Sequence, residues 1–129
     1  MYYGEFNNKD DVFGNFSVPE AERNKIHIIL ASYDIDGYDG SAMVLFIRDG
    51  KFWLVTGGHC SCYGLEDQWS PEQLTLEELR HYGEKSEGGV FQGLNAEMLK
   101  IVDRVERMDA SGKTDTEIEF YLKLALGWN

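Results

Sequence analysis

The sequence predicts an α+β fold in a single domain spanning 1–129, a three-stranded antiparallel meander followed by about three helices packed on it. Three observations carry this prediction. Two apolar, β-rich runs, Ile26–Tyr33 and Ala42–Ile47, lie on the N-terminal side of an Asp49-Gly50 pair that leads into a third run, Lys51–Thr56. Two Thr-x-x-Glu patterns, Thr75 to Glu78 and Thr114 to Glu117, mark helix starts. Between them Met98, Ile101, Val102, Val105 and Met108 recur at helical spacing.

The elements follow in order. Residues 1–24 read as an irregular segment with a weak helical signal around Lys9–Phe16. Ser17-Val18-Pro19 then breaks it, because proline biases the preceding residue towards extended backbone. Ile26–Tyr33 is β-branched-rich and ends in Asp34–Gly40, a cluster of turn residues. Ala42–Ile47 has strand length and meets Lys51–Thr56 across Asp49-Gly50, the pair that a type I′ hairpin turn favours because both central residues take positive φ. The strands thus occupy roughly 25–60 and the helices roughly 75–127. The middle strand is apolar at every position. A layer of chain must therefore cover each of its faces, or one face packs against a partner.

In the C-terminal half, Thr75 and Glu78 form a capping box with Leu74 and Leu79 at the hydrophobic staple positions. Asn95 is the expected cap of the next helix, with Leu94 and Leu99 as its staple and Gly112 as its stop. Thr114 opens the last helix and Gly127 ends it before Trp128. Ser86–Gly93 holds three glycines and reads as a flexible connection.

Composition narrows the function classes. Apolar residues make up 43% of the 129, which is ordinary for a globular chain. Twelve Lys and Arg against 23 Asp and Glu give a formal charge of −11, a poor match for a polyanion such as nucleic acid and for an anionic membrane surface. That balance favours a protein partner, one with basic character. No apolar run approaches the ~20 residues needed to cross a bilayer. The segment Met1–Asp11 is polar and acidic, unlike a signal peptide. With only two cysteines, one residue apart, no secreted disulfide framework is expected, and the expected compartment is the cytosol.

The chemically loaded stretch is Gly57-Gly58-His59-Cys60-Ser61-Cys62-Tyr63-Gly64. If the strand continues through 62, alternation puts Cys60 and Cys62 on one face and His59 and Ser61 on the other. Two thiolates could then clamp zinc, but a structural zinc site wants four ligands and wider cysteine spacing, so His81, His27, a carboxylate or a second chain would have to complete it. A nucleophilic thiol needs an adjacent base, again His81 or His27. A Cys-x-Cys disulfide would be strained and easily reduced. The bland reading is that both thiols are small buried apolar groups. The favoured reading keeps zinc out and treats the stretch as a binding loop, with His59, Cys60, Cys62, Tyr63, Glu66 and Trp69 as its candidate contacts. No catalytic residue is assigned.

Two other patterns are set aside. Asp34–Gly40 fails as a calcium loop, since an EF-hand counted from Asp34 would place Asp39 at the glycine position and Leu45 at the glutamate position. The acidic pairs at Asp10-Asp11, Glu66-Asp67 and Glu77-Glu78 are explained as solvated faces and helix starts.

The residues Ala31-Ser32-Tyr33, Val44-Leu45-Phe46, Asp49-Gly50-Lys51, His59-Cys60-Ser61-Cys62-Tyr63-Gly64-Leu65-Glu66, Gln68-Trp69 and Pro71-Glu72 together resemble a family of small phage and prophage proteins without an assigned activity. The likeness covers about the first two-thirds of the chain. It implies a bacterial cytosol during infection or lysogeny and nothing firmer. Taken with the small size, the acidity and the absence of a complete catalytic set, it favours a non-catalytic accessory protein that binds a host or phage protein. The alternative is a metal- or thiol-dependent protein with its site at the His-Cys-Ser-Cys loop.

Overall fold

The computed structural model describes residues 1–60, 64–84, 94–108 and 112–127. The expected Ser86–Gly93 connection, Trp128, and the loop residues Ser61, Cys62 and Tyr63 lie outside them.

The order of elements is β1 (Tyr2–Gly4), α1 (Lys9–Phe16), α2 (Glu20–Arg23), β2 (His27–Asp36), β3 (Asp39–Arg48), β4 (Lys51–His59), β5 (Glu72–Leu74), α3 (Leu76–Glu84), α4 (Asn95–Arg107) and α5 (Asp115–Leu126). The strands form one five-stranded sheet in sequence order, with β1 parallel to β2 and every other pair antiparallel. The expected three-stranded antiparallel meander with about three helices is therefore corrected, among the described residues, to a mixed five-stranded sheet with five helices. The central meander is as read. The added strands have three residues each, too few to show alternation. The α2 helix is a single turn, shorter than any periodic signal.

The two hairpin turns differ from each other. Asp49 (φ 53°) and Gly50 (φ 73°) both take positive φ, as a type I′ turn requires. At the other end, residues 34–36 and 39–40, expected as turn, pair as strand, and the reversal is confined to Gly37 (φ 65°) and Tyr38.

Strand β3 divides the core in two. Met43, Leu45 and Ile47 face one layer with Leu79, Met98, Ile101, Val102, Val105, Ile118 and Leu122 from α3, α4 and α5. Ala42, Val44 and Phe46 face the other, with Phe6, Val12, Phe13, Phe16 and Leu65. Both faces are thus covered by the chain itself. A bulge between Ile28 and Leu30 shifts the phase of β2, so that Ile29 and Leu30 both join the helical layer and Ala31 returns to the other.

Local signals locate the helix ends. Thr75 and Glu78 exchange hydrogen bonds at 3.1 Å each way, and Thr114 and Glu117 form the second capping box. Gly127 (φ 73°) closes α5. Asn95 departs from expectation. It is the first helical residue, and its amide donates to the Gly83 carbonyl at 3.1 Å, tying α4 to the end of α3. Helix α4 ends at Arg107, before the Gly112 stop, because Met108 is extended. Asp115 fixes the start of α5 by accepting from the Asp49 and Gly50 amides at 2.8 and 2.7 Å.

Candidate functional site

The His-Cys-Ser-Cys stretch begins where β4 runs out. Val55 packs into the layer that contains Phe16 and Leu65, so Gly57 and His59, two and four residues on, point to that same face. Gly57 lets the returning chain lie flat on the strand. A Cβ there would meet Leu65 Cδ2 at 2.9 Å and Phe16 Cε1 at 3.0 Å. Leu65 fills that space and is buried.

Gln68 closes the loop. Its Oε1 accepts from the Gly58 amide at 2.8 Å, and its Nε2 donates to the Gly58 and Gly64 carbonyls at 2.7 Å each. Strand β5 pairs only with Phe52, Trp53 and Leu54 of β4. The Gln68 amide therefore does at Gly58 what a further strand residue would do, satisfying the outward donor and acceptor of the exposed edge.

Trp69 follows, half-buried. Its ring stacks on Phe46 with centroids 5.4 Å apart and meets Phe16 edge-on at 5.3 Å. Its indole Nε1 is sealed from solvent with no hydrogen-bond partner among the described residues. Beside it lies an open groove of about 420 Å³ lined by Phe16, Ser17, Pro19, Glu22, Arg48, Asp67, Trp69 and Pro71. Both prolines of the chain contribute to this wall. The Arg48 guanidinium lies 4.2 Å from the centre of the Trp53 ring and 5.8 Å from that of Phe46. No ion pair forms at Arg48 among the described residues.

The sequence-predicted contacts separate into two places. His59, Cys60 and Glu66 sit at the β2–β3 turn end of the sheet, since His59 pairs with Gly40. Trp69 sits at the groove. Cys62 and Tyr63 lie outside the described residues. His59 is half-buried, its Nδ1 has no partner among the described residues, and its ring meets that of Tyr33 edge-on at 6.4 Å. Burial pushes the Tyr33 phenol above its usual range, and the Glu5 and Glu66 carboxylates push it further. Cys60, one residue past His59, falls on the opposite face by strand alternation and is half-buried.

The histidines that a metal or thiol reading needs are elsewhere. His27 pairs with Ile47 and His59 with Gly40, seven residues apart along β3. At ~3.3 Å per residue that is about 23 Å. His27 instead bonds Glu119 at 2.8 Å, and His81 is exposed on α3 next to Tyr82. Among the described residues no group of three or more His, Cys, Asp or Glu is placed to hold a metal ion.

Sequence reasoning missed Arg48, Glu22, Phe16, Pro71 and the clamp at Gln68 as parts of a site. One signal was available. Phe46 pairs directly with Trp53, so Arg48, two residues on and on the same face, is its diagonal neighbour across the Asp49-Gly50 turn. The others meet only through tertiary packing. No helix of the described chain is long and apolar enough to cross a membrane. No family model, curated protein or solved structure matches the chain.

Proposed function

We propose that this is a small acidic accessory protein of the phage type that binds a host or phage protein without catalysis, with an extended segment of that partner lying in the groove beside Trp69. The observation that supports this reading is how the signature loop is built. Gln68 and Gly57 hold the loop where Trp69 and Pro71, together with Phe16 and Pro19, line an open, mixed-charge groove. Concave surfaces walled by aromatic rings and proline, with a few polar groups, suit extended peptide segments. An apolar residue of the partner would lie on Trp69, a Lys or Arg between Glu22 and Asp67, and a carbonyl or carboxylate against Arg48. The acidity of the chain would steer a basic partner to it. A bacterial cytosol is the compartment that goes with this reading.

The test uses tagged full chain in bacterial lysate, with zero-length cross-linking to map the contact. Wild-type protein is expected to recover one stoichiometric partner cross-linked at Glu22 or Asp67. Glu22→Lys combined with Asp67→Asn should reduce its recovery at least about tenfold. Recovery of no stoichiometric partner, or recovery unchanged by the substitutions, overturns the reading.

One observation favours the alternative, a metal- or thiol-dependent site at His59–Cys62: the His59 Nδ1 is buried without a partner among the described residues, and a buried polar atom in that state calls for an explanation. Elemental analysis of the purified chain and a thiol titration at neutral pH test it. Bound zinc, or one thiol reacting far faster than an ordinary cysteine, would support it; no bound zinc together with two ordinary, slow thiols would remove it.

A further inference from the structure

The two ends of the sheet carry opposite chemistry. At one end the β2–β3 turn presents Asp34, Asp36 and Asp39 around two exposed apolar side chains, Ile35 (45% exposed) and Tyr38 (80% exposed). At the other end Arg104, Arg107 and Met108 of the α4 terminus line, with Lys113 and Tyr121, an open cavity of about 240 Å³. Lys113 Nζ lies 5.5 Å from the centre of the Tyr121 ring. Among the described residues none of these three cations forms an ion pair, in a chain whose net charge is −11. Beside the cavity, α5 leaves Phe120 (61% exposed) and Leu124 (67% exposed) in solvent.

The ends are far apart. Asp115 bonds the Asp49 and Gly50 amides, which places the start of α5 and its cavity at the β3–β4 turn. The ten residues of β3 separate that turn from the acidic one, ~30 Å at ~3.3 Å per residue. The acidic turn therefore cannot reach the cavity of its own chain.

We propose that the cavity receives the β2–β3 turn of a second copy of this chain, with Tyr38 lying on Tyr121 and Met108 while Asp36 and Asp39 face Arg104, Arg107 and Lys113. Charge and apolar character match on both sides of this contact. The chain otherwise repels itself, so self-association needs a locally complementary pair of surfaces. The contact is head-to-tail, and each added copy leaves one turn and one cavity unfilled, so assembly continues as a ring or a linear array. It involves none of the residues of the Trp69 groove and stands or falls separately from it.

Sedimentation velocity on the full chain tests the proposal with two double variants at exposed positions. Tyr38→Ser with Asp39→Lys spoils the turn, and Arg104→Gln with Arg107→Gln spoils the cavity. Wild-type chain is expected to form oligomers whose size grows with concentration, and each variant is expected to weaken association at least about tenfold. The decisive sample is an equimolar mixture of the two variants. One keeps an intact cavity and the other an intact turn, so the mixture should give two-copy complexes and nothing larger. Circular dichroism confirms folding, and Tyr38→Ser and Arg107→Gln alone replace any double variant that fails to fold. Wild-type chain that stays monomeric, variants that associate like wild type, or a mixture that stays monomeric overturns it.

Discussion

The two faces of the sheet are built from different residues by different means. The face under α3, α4 and α5 is aliphatic, with Ile, Leu, Val and Met from strands and helices and Phe52 as its one buried aromatic among the described residues. The face under α1 and the 64–69 loop is aromatic, with Phe6, Phe13, Phe16, Tyr33 and Phe46 buried and Trp53 and Trp69 packed at its edge. Helices cover the first by repetition, since one stripe of α4 supplies Met98, Ile101, Val102 and Val105. The second is covered by short pieces that each fit one place. Repetition tolerates change along a helix. A single-place fit concentrates the consequences in a few side chains, and the groove lies on that side.

The largest test of this difference pairs Phe16→Ala with Ile101→Ala, two side chains buried to a similar degree on opposite faces. Truncating a buried Phe costs ~3–5 kcal/mol and a buried Ile ~2–5 kcal/mol, so both should lower unfolding free energy in urea. What separates them is local. Phe16 touches Trp69 edge-on and walls the groove, so Phe16→Ala should change tryptophan emission and abolish partner capture. Ile101→Ala should leave emission and capture as they are at temperatures where the variant remains folded. Equal effects of the two on emission would show that the faces are not separate.

Gly57→Ala comes next. Its Cβ would meet Leu65, Phe16 and the Gln68 Oε1 at 2.9, 3.0 and 3.3 Å, and inserting a methyl group into a packed site costs ~1–3 kcal/mol. Gly58, one residue on and facing the other way, would meet among the described residues only the Gly40 carbonyl oxygen at 3.9 Å. Gly58→Ala should therefore be tolerated. Replacing Gln68 by Leu removes three hydrogen bonds and exposes the Gly58 edge, for a loss of ~1–3 kcal/mol. Because that edge is then an unpaired strand end, the variant should also aggregate faster on warming, measured by light scattering.

The same contrast explains what could be read from the sequence. The aliphatic face follows from periodicity and caps: the stripe of α4, the Thr75 and Thr114 boxes and the Asp49-Gly50 turn each act over a few residues of chain, and each is where the sequence placed it. Asn95 was misread because a residue suited to cap a helix also suits a bond to the preceding one, and only the position of Gly83 decides between them. The aromatic face was legible as a distinctive motif but not as a construction. Nothing local shows that Gln68 reaches back to Gly58, that Gly57 is bare because Leu65 and Phe16 press on it, or that residues as distant as Glu22, Arg48 and Pro71 share one groove. The three-residue strands β1 and β5 were missed for the same reason, since they are strands only because a long neighbour pairs with them.

The smallest expected effect belongs to the aliphatic side, at its polar margin. Glu119 on α5 is half-buried and accepts from His27 Nδ1 at 2.8 Å while pairing with Lys123 Nζ at 2.6 Å. Burial alone would push its carboxyl up, but the bonds from Lys123 and His27 outweigh burial and hold it below the usual carboxylate range. A carboxyl lowered on folding adds stability that is present above its unfolded value near 4.5 and is lost as pH falls through the lower folded value. Glu119→Gln should therefore cost about 1 kcal/mol at pH 7, a partly exposed pair being worth no more. The gap between wild type and variant should begin to narrow near pH 4.5 and close once pH has fallen below the lower folded value, where Glu119 is protonated before and after unfolding. Urea titrations at a series of pH values measure that gap. A gap that stays constant with pH would assign the loss to packing and not to charge, and partner capture should be unaffected in either case because Glu119 lies across the sheet from the groove.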